Sequence, residues 1–300
     1  MRIRLGVTFY DEHEDELLAV ADRLNVVEIK YLEPSYIEAK RPVWERFAER
    51  SLHVQYLTRN GQPLTLNLAN PEVFRQLEQA RNDVYRVFEI LQPTLCSFHG
   101  GFACEVVDVC GPDQHNEARS PVLPREEVLS RLVRSIKTAQ ARLRRRGLAE
   151  PEALLIENLD YRPTGAYEYV TDGTFLAELL AATGAGLLLV LAHLMITAHS
   201  CQSEPLLLLE EMAPALEHLR EIHVCAPAVS GTELWDINRP FDESERCMEL
   251  LREVLARHAE RVPADRRLLL NLECPTVLAR QLDRLQVLVS EVKHGPADQG

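Results

Sequence analysis

The chain has 300 residues, 46% hydrophobic and 26% charged, and 33 Lys and Arg against 46 Asp and Glu give a net charge of −13. Such a balance repels a phosphate backbone, so nucleic acid is not an expected partner. No apolar run approaches the roughly 18 residues of a membrane span, the N-terminus is too polar for a signal peptide, and seven cysteines without close CxxC pairs form no disulfide framework; a cytoplasmic, reduced protein is expected.

In chain order, short apolar and β-branched runs alternate with stretches of helical periodicity. Strands are expected at Ile3 to Thr8, Asn25 to Lys30, Leu52 to Leu57, Thr94 to Phe98, Ala153 to Glu157, Gly186 to Leu191, Glu221 to Val224 and Arg267 to Leu272. The helical patterns between them cover about 11–23, 35–49, 72–91, 124–147, 174–183, 206–219, 242–260 and 276–292. Asn70-Pro71 starts the third helix and Gly184 ends the fifth. Asn60-Gly61 is a turn signal, and Gly100-Gly101 permits close backbone approach. The basic run Arg142-Leu143-Arg144-Arg145-Arg146 reads as a helix C-terminus, where cations complement the dipole.

Strict strand–helix alternation predicts a parallel sheet with right-handed crossovers, and about eight units suffice to close it. The expected fold is therefore α/β, a (β/α)8 TIM barrel forming one domain over residues 1–293, with 294–300 a disordered tail. No GxGxxG or GxxxxGK[ST] follows the first strand, which argues against dinucleotide or P-loop chemistry.

In such a barrel the chemistry sits at the C-terminal strand ends. His53, His99, Glu157, His223 and Glu273 fall there, with His193 and His199 after the sixth strand and Asp236 in the loop after the seventh. A lone histidine or carboxylate at a strand end is commonly filler or a helix cap. Several converging from inside apolar runs each need a partner, and a cation serves them all. Mixed imidazole and carboxylate ligation suits iron, manganese or zinc better than magnesium or calcium. Cysteines 96, 104, 110, 225 and 274 lie nearby in sequence, but their spacing matches no standard zinc site and reads as small core residues.

The succession Ser51-Leu52-His53, Ser97-Phe98-His99, Ile156-Glu157-Asn158, Leu187-Leu188-Leu189, Ile222-His223, Trp235-Asp236 and Leu272-Glu273 resembles the multinuclear non-haem iron-dependent oxidative enzymes. These are xylose-isomerase-like TIM barrels, and the likeness runs from Leu5-Gly6-Val7 to Glu273. The family binds two or three iron ions; for this chain one to three are expected, and the resemblance implies His53, His99, Glu157, His223, Asp236 and Glu273 as metal ligands with His193 as a further candidate. It also implies oxidation of a cysteine in a ribosomally made peptide, often beside a separate peptide-binding partner protein. Two positions depart from the pattern: Val190 stands where the family has an Asp ligand, and Asn238 where it has His.

Three functions stay open on the sequence. The first is an iron-dependent oxidase acting on a cysteine-containing peptide or small thiol, with manganese or zinc as alternative metals. The second is a divalent-metal sugar isomerase or epimerase in which Glu157 and Glu273 are catalytic, moving protons beside a carbonyl. The third is a degenerate barrel acting as a binding partner, which Val190 and Asn238 favour. A related zinc phosphodiesterase acting on abasic DNA is disfavoured by the acidic surface. Any peptide is expected on the long loops 101–123 and 225–241.

Overall fold

The structure, a computed structural model, describes residues 2–59, 62–79, 83–110, 115–148, 150–263 and 265–294. Eight parallel strands close into a barrel: β1 Arg2–Thr8, β2 Val26–Ile29, β3 Glu49–Val54, β4 Leu95–His99, β5 Leu154–Glu157, β6 Gly186–Val190, β7 Leu219–Val224 and β8 Arg267–Leu272. Neighbours follow the chain, and β1 closes the ring by pairing with both β2 and β8; Gly6 stands opposite Val26 on one side and Asn271 on the other. The expected TIM barrel is present.

Strand alternation divides the interior from the helix-facing side. On β5, Leu154 and Ile156 join the large core beneath the helices, whereas Leu155 packs inside the barrel with Val26, Leu95, Leu188 and Leu269. The next inward position on each of these strands lies two residues later: Glu28, Ser97, Glu157, Val190 and Asn271. A dry apolar layer thus forms the floor under the polar residues.

Several boundaries differ from expectation, each for a local reason. The third strand starts at Glu49 rather than Leu52, and Tyr56–Arg59 belongs to a hairpin with Gln62–Thr65; the turn signal Asn60-Gly61 lies outside the described residues. The helix expected over 35–49 is two short helices, Pro34–Ala39 and Arg41–Trp44, broken ahead of Pro42, which donates no backbone hydrogen bond. The 72–91 stretch becomes Val73–Gln79 and Val84–Leu91, the second capped by Asp83, whose side chain accepts from Arg86 N at 2.9 Å. A helix at Leu191–Ser200 was not expected: it follows β6 without a loop, inside one continuous apolar run. Two further hairpins occupy what read as loop, Val107–Cys110 with His115–Ala118 and Ala226–Ser230 with Glu233–Arg239. The last helix runs to His294, and residues 295–300 of the expected tail lie outside the described residues.

The basic run closes the helix Arg125–Arg144 as expected, but it is not simply solvated. Arg142 stacks 4.5 Å over the Phe74 ring and Arg146 4.4 Å over Tyr85. No helix among the described residues is long and apolar enough to cross a membrane.

Gly101 follows β4 with φ +132°, and a Cβ there would meet Leu132 Cδ2 at 2.7 Å and Ala69 N at 3.1 Å. Gly147 has φ +110° but open space around it. Gly101→Ala should therefore lower thermal stability more than Gly147→Ala, by roughly 1–3 kcal/mol. Equal melting temperatures for the two variants would refute the close packing at Gly101.

Candidate metal centre

His53, His99 and Glu157 come from the ends of three adjacent strands. Each is an inward residue between outward ones: Leu52 and Val54 flank His53, and Phe98 precedes His99. Their ligating atoms all lie within 4.8 Å of one another, and all three residues are buried. Glu157 Oε2 is 3.1 Å from His99 Nε2 and 3.5 Å from His53 Nε2. The other ring nitrogen of His53 is 2.7 Å from Ser97 Oγ, a contact that fixes the ring and leaves Nε2 facing the carboxylate. Burial pushes His53 down to about 3, so its imidazole is neutral and able to ligate. Glu157 is raised by burial, but His99, His53 and His193 outweigh that and hold it well below the usual carboxylate range.

A second buried triad lies across the barrel: Glu28, Glu221 and His223, again with ligating atoms within 4.8 Å. His223 Nε2 is 2.9 Å from Glu28 Oε2 and 3.6 Å from Glu221 Oε1. Glu28 Oε1 accepts from Thr8 Oγ1 at 2.7 Å and from Asn271 Nδ2 at 3.2 Å. Neither oxygen of Glu221 accepts a hydrogen bond from the described residues, although the side chain is almost fully enclosed. The two triads adjoin through their histidines, with the His53 and His223 rings 5.5 Å apart.

Burial opposes the charge on His223, yet Glu28 and Glu273 hold its pKa well above the usual histidine value. Burial raises Glu28, but His223, His53 and Lys30 together outweigh it and draw the carboxylate down to about 2. Glu221 is raised by burial and by the neighbouring charge of Glu28.

The remaining expected residues lie at the edge of these triads. His193, in the first turn of the helix Leu191–Ser200, points its Nδ1 at Asn158 O, 2.7 Å away, and its Nε2 at Asp236 Oδ2, 3.2 Å away. Its Nδ1 is also 3.5 Å from Glu157 Oε1. Asp236 and Asp160 lift His193 to about 10 despite burial. Asp236 therefore meets His193 and joins neither triad. Glu273 lies beyond β8, with Oε2 3.4 Å from His223 Nδ1 and 3.2 Å from the Cys225 thiol that donates to it; its other oxygen is ion-paired with Lys30. His199 is exposed, 3.9 Å from Glu233, and belongs to neither triad.

The two altered positions have distinct settings. Val190 faces inward among Leu188, Ala192 and Cys225, and Asn158 brackets its backbone with hydrogen bonds of 2.6 and 3.3 Å. Asn238 stands beside Tyr10. Of the cysteines, only Cys225 touches the site; Cys96 is in the core under the helices, and no thiolate cluster occurs among the described residues.

Glu28, Lys30 and Glu221 escaped the sequence reading. Val26-Val27-Glu28-Ile29-Lys30 carries charge at alternate positions, a pattern shared with half-solvated strands, and closure of the barrel turns that face inward. Glu221 shares a face with His223, but starting the strand at Glu221 rather than Leu219 made it a boundary residue.

The donor set fits a divalent cation. Glu28, Glu157, Glu221 and Glu273 are all buried, and among the described residues Lys30 is the one lysine or arginine within ion-pair distance of any of them. Carboxylates at such density are costly without positive charge among them.

Two outcomes follow. Ligation needs a neutral imidazole, and His223 holds its proton when no cation is present, so binding must release that proton. Metal affinity should rise by about tenfold per pH unit for each proton released, over roughly pH 6 to 8. Calorimetry in two buffers of different ionisation enthalpy reads this directly, and binding without proton release would remove His223 from the ligand set. Second, Glu221→Met should raise the melting temperature of the metal-free protein, by roughly 1–3 kcal/mol of stability, while weakening metal binding. A lower melting temperature would mean that Glu221 is already satisfied by protein groups.

Solved structures share this architecture. A D-tagatose 3-epimerase-like protein superposes with TM-score 0.62 at 14% identity, over 97% of this chain and 98% of that one. An L-ribulose 3-epimerase gives TM-score 0.61 at 11% identity, over the whole of both chains. A 3-keto-D-glucoside 4-epimerase from E. coli gives 0.55 at 10% identity, over 96% of this chain and all of that one. At these identities the likeness concerns the fold alone. No curated protein sequence matches. Residues 4–264 match the family described as RiPP precursor modification enzyme MbnB/TglH/ChrH, in agreement with the resemblance read from the strand-end residues, and the chain belongs to that family.

Proposed function

We propose that this protein is an iron-dependent enzyme that oxidatively modifies a cysteine in a precursor peptide. The observation that carries this reading is the pair of adjoining buried triads, His53–His99–Glu157 and Glu28–Glu221–His223. Family membership supports a metal-dependent reaction on a ribosomally made peptide. Iron, when bound, would supply the electron transfer between the substrate thiol and dioxygen.

The chain's own groups do the rest. Ser97 orients His53, and Thr8 and Asn271 orient Glu28. The apolar floor of Leu155, Leu188 and Leu269 keeps water from below the site. The hairpin Ala226–Ser230/Glu233–Arg239 is tied to the site by Asp236 on His193, and Arg162 Nη2 donates to Leu234 O at 3.0 Å. Val229 and Ile237 on that hairpin are exposed and offer apolar contact to a peptide.

The isomerase reading asks Glu157 and Glu273 to exchange protons near neutral pH. Both are held well below the ordinary carboxylate range, Glu157 by histidines and Glu273 chiefly by Lys30, which suits ligation and charge balance better than base catalysis. The binding-partner reading rests on Val190 and Asn238, but it leaves the buried carboxylates of both triads unexplained.

Protein purified without oxygen should carry iron at one or more equivalents by inductively coupled plasma mass spectrometry. The Glu157→Ala/His223→Ala variant should carry none. Manganese or zinc alone would overturn the oxidase reading in favour of an isomerase or hydrolase, and absence of metal from both proteins would favour a binding partner.

A further inference from the structure

One buried carboxylate of the mouth already has its cation. Lys30 reaches up from the end of β2, its side chain only 18% exposed, and its ammonium is ion-paired with Glu273 Oε1. The partners of Glu273 Oε2 are His223 Nδ1 at 3.4 Å and the Cys225 thiol at 3.2 Å. Tyr10, half-buried, packs beside the pair, with Asn238 against it. Without that ammonium, His223, Cys225 and Glu273 would form a donor set of an imidazole, a thiol and a carboxylate converging from the ends of β7 and β8. The triads differ from this corner, because among the described residues no lysine or arginine comes within ion-pair distance of Glu28, Glu157 or Glu221.

Building on the metal-dependent reading above, we propose that Lys30 is a built-in cation that neutralises Glu273 and excludes metal from this corner of the mouth, limiting the protein to two metal ions, one at each triad. The physical reason is charge and space. An ammonium tethered to the backbone loses little entropy on pairing and cannot be washed out. It also repels a divalent ion approaching the carboxylate it already touches, and burial strengthens that repulsion. The surroundings are consistent with a corner that does not ligate metal. Val190, opposite His223 in register, offers only methyl groups, and Asn238, beside Tyr10, is a neutral amide. Lys30 is thus a specificity-determining residue for metal number, and it contacts no reacting atom.

The test counts metal by anaerobic titration with Fe2+, and separately with Mn2+, followed by gel filtration and mass spectrometric metal analysis. The wild-type protein should saturate at two equivalents. Lys30→Met, which keeps the side-chain volume and removes the charge, should take up about one more, because Glu273 must then recruit a cation. Because Lys30→Met strips buried Glu273 of its ammonium and can misfold, Lys30→Met/Glu273→Gln is measured beside it: it removes both charges and should fold and still bind two. A wild-type count of three, or loss of an equivalent in the double variant, would make Glu273 a metal ligand and overturn the proposal while leaving the iron reading intact. A wild-type count of zero or one overturns it as well. Two equivalents of Mn2+ with no uptake of Fe2+ would uphold the role of Lys30 and overturn the iron reading.

Discussion

The structure depends on one constraint: carboxylates brought inside a closed sheet must meet positive charge. Glu28, Glu157, Glu221 and Glu273 all project into the barrel, and water does not reach them from the apolar floor below. Among the described residues the basic groups within ion-pair distance of them are imidazoles and a single ammonium. Imidazoles are conditional partners, since they balance charge only when protonated and ligate metal only when neutral. Proton and metal therefore compete for the same nitrogens, which makes the array poised rather than merely structural.

The barrel supplies this arrangement through strand alternation. Because inward residues recur every second position, a strand that needs a ligand at its C-terminal end can still present branched aliphatics to the helices. Ile222 and Val224 do so on either side of His223, and Leu52 and Val54 on either side of His53. Neighbouring strands in register then set the spacing: His99 is paired with Glu157, and Val190 with His223. A shift of one residue in any of these strands would turn the ligand into the helix layer.

That same alternation explains how much was legible in the sequence. His53, His99, Glu157 and His223 stand out because each interrupts an apolar run near a strand end, and the barrel itself was legible from the strand–helix succession. Glu28 and Lys30 were hidden because Glu and Lys at alternate positions of a short strand look like an ordinary solvated face, and only closure of the barrel makes that face internal. The hairpins were missed because, among the described residues, Val107–Cys110 and Glu233–Arg239 each pair only with the strand next to them in the chain, His115–Ala118 and Ala226–Ser230, and carry no sustained pattern. His193 reaches the site by a route that strand parity alone would not give: β6 turns into a helix at Leu191 with no intervening loop, and the first helical turn brings the ring over Glu157.

The distribution of fixed and exchangeable positive charge then separates the possible chemistries of the fold. Proton transfer beside a carbonyl needs a carboxylate whose affinity for protons is near that of the medium. The carboxylates of this mouth are pulled away from that condition, Glu157 by three histidines and Glu273 by Lys30 and His223. Glu221 and Asp160 are raised instead, Asp160 chiefly by burial, and Glu221 lies fully enclosed in its triad, where burial and Glu28 oppose its charge. A group so placed is relieved by a cation rather than by a substrate. The mouth is therefore organised to hold metal first.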